Sequence, residues 1–313
     1  MISKVAILGC GAMGSIYASY LSDHVEEVWA IDPWEEHIVK IKQSGLKIDG
    51  PNGSKVYNKI CASTNIEDAK GCDLYIIATK GSNVGHAAKA ISQVMREDSL
   101  ILTIQNGLGS GERIAQFIST TNVLLGVADG FGASIKGPGH IHHNAMKLIR
   151  LGEVGGGISG RLEFISALWL SAGFQVRAFD DINQLIWEKF LCNVTLSGPC
   201  TIFDCSVGDL MANTELWAIA IGAMKEAYVC GLAEGISFSF EDPTNYVTKF
   251  AEMMPSASPS MRLDHLARQK SEIDSINGMV PVLGKKHDIQ TPFNQTITGA
   301  VRAAEMKFEG IKK

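Results

Sequence analysis

The run Gly9-Cys10-Gly11-Ala12-Met13-Gly14 constrains this chain more than any other stretch, because it separates two patterns of different period. Residues 4–8 (KVAIL) read as a short β-strand and residues 15–21 as a helix, so the glycines occupy a strand-to-helix turn. Each glycine answers a separate demand. The first permits the tight turn, the second removes a side chain that would block a pyrophosphate, and the third lets helix and strand pack closely, with the helix N-terminus facing the phosphates. Glycine-rich turns are common, but one that follows a strand and opens a helix points to a dinucleotide. Gly9, Gly11, Ala12, Met13 and Gly14 are therefore candidate cofactor-binding positions.

The second strand, residues 27–31, ends in Ile31-Asp32 at about the expected 20 residues beyond the glycines, where a carboxylate can accept hydrogen bonds from the adenosine ribose. An Asp there repels a 2'-phosphate, so Asp32 favours NADH over NADPH. The plainer reading is that Asp32-Pro33 opens a turn or caps the next helix. Two further strand ends, Ala78-Thr79-Lys80-Gly81 and Ile104-Gln105-Asn106-Gly107-Leu108-Gly109, fall on the same carboxyl edge. Open α/β sheets bind ligands at that edge, so Lys80 and Asn106 are candidates for the nicotinamide ribose and the substrate.

Up to about residue 180, β-like runs at 4–8, 27–31, 73–78, 99–104 and 122–127 alternate with helical patterns, which predicts a mainly parallel Rossmann-type α/β domain over 1–180. Residues 46–48 and 55–60, flanking Asp49-Gly50-Pro51-Asn52-Gly53, read as an antiparallel excursion. Runs at 146–152 and 174–179 read as further strands around a helix over 161–170. From Asp180 onward the apolar residues recur at helical spacing through 182–198, 207–234, 243–254, 261–283 and 291–308, which predicts an all-helical domain over 181–313. The change of period alone marks the boundary, near 180–183.

With 313 residues, 46% of them hydrophobic, the chain has length for two domains. Its 28 basic and 33 acidic side chains give a net charge of −5 without a long run of one sign, which argues against nucleic-acid binding. No uninterrupted apolar run of about 18 to 20 residues and no signal-like N-terminus stand out, so neither membrane insertion nor secretion is expected. Seven scattered cysteines, none in a Cys-x-x-Cys pair, suggest reduced thiols and a cytoplasmic location. Cys192 reads as a small apolar residue. In His140-Ile141-His142-His143, strand geometry places His140 and His142 on one face and His143 on the other. With no carboxylate or cysteine expected nearby to complete a shell, no metal site is predicted.

Within the helical half, Lys189, Asn193 and Ser197 stand four residues apart and share one helix face, which suits a polar cleft. Ser260 and Glu272 would lie about 18 Å apart on one continuous helix, too far to serve one small substrate. Ser271-x-x-Asp274 resembles a capping box, so a new helix starting there, with a bend at 268–270, would bring the two closer.

Taken together, the early glycine turn, Thr79-Lys80, Gln105-Asn106-Gly107, Trp187-Glu188-Lys189 with Asn193, Ser260-Met261 with Asp264, and Glu272-Ile273-Asp274 with Ile276-Asn277-Gly278 resemble the ketopantoate (2-dehydropantoate) reductase family over nearly the whole chain. The resemblance implies a C-terminal domain of the 6-phosphogluconate dehydrogenase type and reduction of the C2 ketone of 2-dehydropantoate by NAD(P)H, giving D-pantoate for pantothenate and coenzyme A synthesis. It further implies Lys189 as general acid with Glu272 as its ionic partner, the latter also on the cofactor. Asn193, Ser197, Ser260 and Asn106 would hold the substrate, with Lys80 and Asn106 on the cofactor side. Ser197 stands where the family commonly has a second Asn. The expected partner is a small 2-oxo acid, and the expected assembly, if any, a homodimer. The alternatives are a reductase of another small 2-oxo acid and a non-catalytic dinucleotide sensor, which would have no need of a proton donor at 189.

Overall fold

A computed structural model describes residues 2–308 apart from Asn52, Phe131 and Met146. The chain divides into two units, one made of Met1–Gln105 and Ser110–Ile182, the other of Asn106–Gly109 and Asn183–Lys313. In the first unit the elements run β1 (Lys4–Leu8), α1 (Ala12–Leu21), β2 (Glu27–Ile31), α2 (Glu35–Ser44), β3 (Leu46–Gly50), β4 (Gly53–Tyr57), β5 (Ile60–Ser63), β6 (Leu74–Ile77), α3 (Val84–Val94), β7 (Leu100–Thr103), α4 (Ser110–Ala115), β8 (Val123–Asp129), β9 (Gly132–Gly137), β10 (His140–Ala145), β11 (Leu148–Glu153), α5 (Gly160–Ser171) and β12 (Val176–Ala178).

The main sheet has the order β12-β11-β8-β7-β6-β1-β2-β5. From β8 to β5 every pairing is parallel, and β11 runs antiparallel to β8. Central strands buried on both faces need continuous apolar sequence, and β1 and β6 supply it with Val5, Ile7, Leu74 and Ile76 at 0% exposure. Each such aliphatic side chain contributes about 1.5–3 kcal/mol by leaving water. On α1, Tyr17 packs into an aromatic cluster with Trp169 and Phe174, at centroid distances of 5.2 and 6.0 Å.

The excursion after α2 differs from the sequence expectation. Residues 55–60 do not form one strand: β4 pairs antiparallel with β3, whereas β5 leaves the hairpin and joins the main sheet beside β2. Burial decides the split, since Ile60 and Ala62 are buried and the middle of β4 is exposed. The strand β10 covers the His140–His143 run read in strand geometry, and with β9, which its polar sequence conceals, it completes a second sheet of order β4-β3-β10-β9. A carboxylate does lie beside the histidines of β10, contrary to expectation, because Asp49 on β3 pairs with His140 Nε2. His143 is buried against the Tyr20 hydroxyl, and no group of three or more metal-ligating side chains occurs among the described residues.

The second unit consists of α6 (Ile182–Ile202), α7 (Val207–Ala212), α8 (Thr214–Ala233), α9 (Pro243–Glu252), α10 (Ser260–Leu266), α11 (Met279–His287) and α12 (Pro292–Glu305). The predicted helix over 207–234 is two, because Asn213 turns out of the helix and caps α8, accepting from the N–H groups of Glu215 and Leu216 at 3.1 Å. The predicted helix over 261–283 is likewise broken: Arg268 adopts a left-handed φ of 54°, and a single 3₁₀ turn at Ile273–Ser275 precedes α11. The capping box does not form. Ser271 instead donates to Glu305 at 2.6 Å, and Asp274 pairs with Arg302 at 2.6 Å.

Among the described residues α8 is the one helix long and apolar enough to cross a bilayer, by length and composition only, a property that core helices of globular proteins share. Here its Ala223, Met224, Ala227 and Cys230 pack in the helical core with Phe190 and Leu191 of α6. At its C-terminus α6 ends in a Schellman arrangement, with Asp204 at φ 46° and the Cys205 N–H donating to Cys200 O at 3.1 Å.

Candidate functional site

Each glycine of the turn between β1 and α1 meets a different steric condition. Gly9 has φ 87°, and a Cβ there would stand 2.6 Å from the Thr79 backbone nitrogen. At Gly14 a Cβ would overlap the Gly9 carbonyl and press on Ile7. At Gly11 a Cβ would have nothing within 4 Å of it. That pattern, with closure at the first and third glycines and open space at the second, suits a pyrophosphate resting on the start of α1. Close by, at the end of β6, the Thr79 Oγ1 is buried with no hydrogen-bond partner, the kind of orphan a ribose hydroxyl or phosphate oxygen would satisfy. The residues present thus fit a dinucleotide.

Asp32 follows β2, and its Oδ1 accepts the Trp34 N–H at 2.9 Å, which is the turn-forming role foreseen as the plainer reading. A carboxylate has about four lone-pair sites, so this bond does not exhaust its capacity for ribose hydroxyls. Lys80 is exposed at the head of the 3₁₀ turn Gly81–Asn83, on the carboxyl side of β6.

In the helical unit, α6 carries Lys189, Asn193 and Ser197 on one face. Lys189 and Asn193 are half-buried, and the Asn193 Nδ2 is buried without an acceptor. Ser197 is only 4% exposed, so it sits deeper than a cleft-lining residue was expected to. Ser260 is exposed and opens α10; Glu272 is half-buried just before the 3₁₀ turn, and its carbonyl accepts from Ser275 at 2.9 Å and Ile276 at 3.1 Å. The break near Arg268 removes the straight-helix separation of Ser260 and Glu272.

The same 272–278 turn gathers other candidate positions. Asn106 belongs to the short segment that packs with this unit. The Leu108 N–H donates to Ser275 O at 2.9 Å, and Gly107, at φ 81°, lies so close that a Cβ would collide with that carbonyl. Asn277, fully buried, donates to Val194 O, next to Asn193, and to Asn294 Oδ1, both at 3.0 Å. Sequence reasoning assigned no role to Thr79 or Asn277. Each stands inside a motif of the chain, but only their burial shows what their side chains meet.

A glycine turn of this geometry, between a parallel strand and a helix, is that of a dinucleotide-binding protein. Family models agree: the ketopantoate reductase PanE/ApbA model matches residues 5–156, and the model of the ketopantoate reductase PanE/ApbA C terminal matches residues 181–305. The chain belongs to the ketopantoate reductase family, whose members are NAD(P)-dependent oxidoreductases acting on a CH–OH group. It is 30% identical over 302 residues to a 2-dehydropantoate 2-reductase of Streptococcus pyogenes serotype M6, covering 96% of this chain and 97% of that one. The crystal structure of a PanE/ApbA family ketopantoate reductase from Ralstonia eutropha JMP134 is similar, with TM-score 0.89 at 25% identity over 98% of this chain and 99% of that one. So is the ternary structure of a D-mandelate dehydrogenase with NADH and anilino(oxo)acetate, with TM-score 0.88 at 26% identity over 98% and 99%.

Proposed function

We propose that this chain reduces the C2 ketone of 2-dehydropantoate to D-pantoate, with Lys189 as general acid. The observation that carries the reading is the pairing on α6 of a half-buried ammonium with a buried, acceptor-less Asn193 amide one turn away. An unpaired buried amide costs about 1–3 kcal/mol, a cost that a bound oxygen of the substrate would offset. Bound NAD(P)H supplies the hydride that goes to C2. The protein supplies the rest. As negative charge builds on the C2 oxygen, the Lys189 ammonium stabilises it and then donates the proton that completes the alcohol. Glu272 is the ionic partner of the lysine, Asn193 and Ser260 hold the carboxylate or hydroxyl of the substrate, and Ser197 shapes the pocket behind them. Asn106 and Lys80 bind the cofactor side, and Asp32 receives the ribose hydroxyls, favouring NADH.

A second reading, a reductase of another 2-oxo acid, is favoured by the likeness to D-mandelate dehydrogenase, which is as extensive as that to the ketopantoate reductase. Ser197, shorter than the family's Asn, leaves room for a different side chain on the substrate. The test is a panel of 2-oxo acids with NADH and NADPH, following loss of the reduced nicotinamide. Selective turnover of 2-dehydropantoate is expected. Faster turnover of an aryl 2-oxo acid favours the second reading, and dinucleotide binding with no turnover of any acid contradicts both.

A further inference from the structure

His37 on α2 is fully buried, and the dinucleotide reading leaves it without a task. Both edges of its ring are engaged. The Gly139 N–H donates to Nδ1 at 2.9 Å, so that nitrogen carries no proton. On the other edge Nε2 lies 3.3 Å from Ser15 Oγ. The Ser15 hydroxyl has one proton and gives it to the Cys10 carbonyl at 3.0 Å, so it can only accept from the ring, and Nε2 must be the protonated nitrogen. The two edges independently fix one neutral tautomer. Burial favours the same state, holding the imidazole below the usual histidine range against the opposing pulls of the Asp32 carboxylate and the Cys10 backbone. Trp34, whose N–H is held by Asp32, stacks on the ring at 4.7 Å and 9°.

The end of this relay is the Cys10–Gly11 peptide. In a planar trans peptide the carbonyl and the following N–H point in opposite directions. Tying the Cys10 carbonyl to Ser15 therefore aims the Gly11 N–H the other way, at a glycine whose missing side chain leaves open space. We propose that His37 is a positioning residue for the dinucleotide site, acting through Ser15 to orient the Cys10–Gly11 peptide before the pyrophosphate arrives. This rests on the reading of the Gly9–Gly14 turn as that site. Asp32, Trp34, His37, Ser15 and Cys10 then form one chain of contacts running from the ribose carboxylate to the phosphate turn.

The experiment measures dissociation constants by calorimetry on the full chain, for whichever of NADH and NADPH binds more tightly, together with melting temperature. The variants are Ser15→Ala, His37→Asn, their double and His37→Gln. Asn keeps an acceptor near Gly139 but does not reach Ser15, whereas the Gln amide does. Loss of one neutral hydrogen bond predicts a rise in Kd of about three- to tenfold for Ser15→Ala and for His37→Asn. The double should be no weaker than either single variant, because both break one relay. His37→Gln should restore affinity without restoring the melting temperature. Ser15→Ala deletes one oxygen, so it keeps the test open if a His37 variant does not fold. Unchanged Kd in Ser15→Ala, or additive losses in the double, overturns the relay. A wild-type chain that binds neither dinucleotide instead removes the site reading beneath it.

Discussion

Lys189 and Asn193 share a face of α6, yet chemistry asks different things of them. If Lys189 donates its proton only as charge develops on the substrate, its work falls in the transition state. Lys189→Ala is then expected to lower kcat by about 10²–10⁴ while dinucleotide affinity, read by calorimetry, stays at the wild-type value. At Asp32 the question is charge. Removing the carboxylate in Asp32→Asn keeps an oxygen for the Trp34 N–H and deletes the repulsion of a 2'-phosphate, worth about 1 kcal/mol even in water. The ratio of kcat/KM for NADPH over NADH should rise about fivefold or more; an unchanged ratio leaves Asp32 as a turn-former alone. The type and spacing of these residues could be read from the sequence. What could not be read was burial: Ser197 shows the same i, i+4 spacing as its neighbours and is nonetheless almost fully buried.

At the scale of elements, the legible parts were those with strong period. The strands β1 and β2 occupy the predicted residues 4–8 and 27–31, and α5 covers the expected 161–170. The failures share a cause, because each depended on a partner distant in the chain. Polar β9 is a strand only because β10, itself seated beside β3, offers it an edge, and α10 ends at Leu266 because Ser271 and His265 are drawn to Glu305 on α12. The Gly9–Gly14 turn lends itself to a contrast between local demands. Gly14→Ala forces a Cβ into the Gly9 carbonyl and should lower the melting temperature along with dinucleotide affinity. Gly11→Ala meets open space, so its melting temperature should hold while Kd for the dinucleotide rises about tenfold or more, as for a methyl placed under a pyrophosphate. Equal thermal losses in the two variants would contradict the assignment of their roles.

For the whole molecule, the change of hydrophobic period near residue 180 separates a sheet unit from a helical unit, each with its own buried cluster. The short Asn106–Gly109 segment breaks that simple partition by counting with the helices, held there by Ser275. No sequence period marks such a segment, since it depends on the Leu108–Ser275 backbone hydrogen bond, the packing of Leu108 on the helical core and the positive φ of Gly107 and Gly109. The first unit carries the proposed dinucleotide turn and the second the proposed proton donor, and the proposed chemistry joins them in one product. Reaction of 2-dehydropantoate with NADH carrying deuterium at both C4 positions, followed by mass spectrometry of the product, tests that claim most directly. Direct hydride transfer predicts pantoate with a single deuterium at C2. Pantoate without deuterium, or an untouched substrate beside enzyme that binds the dinucleotide, would contradict it.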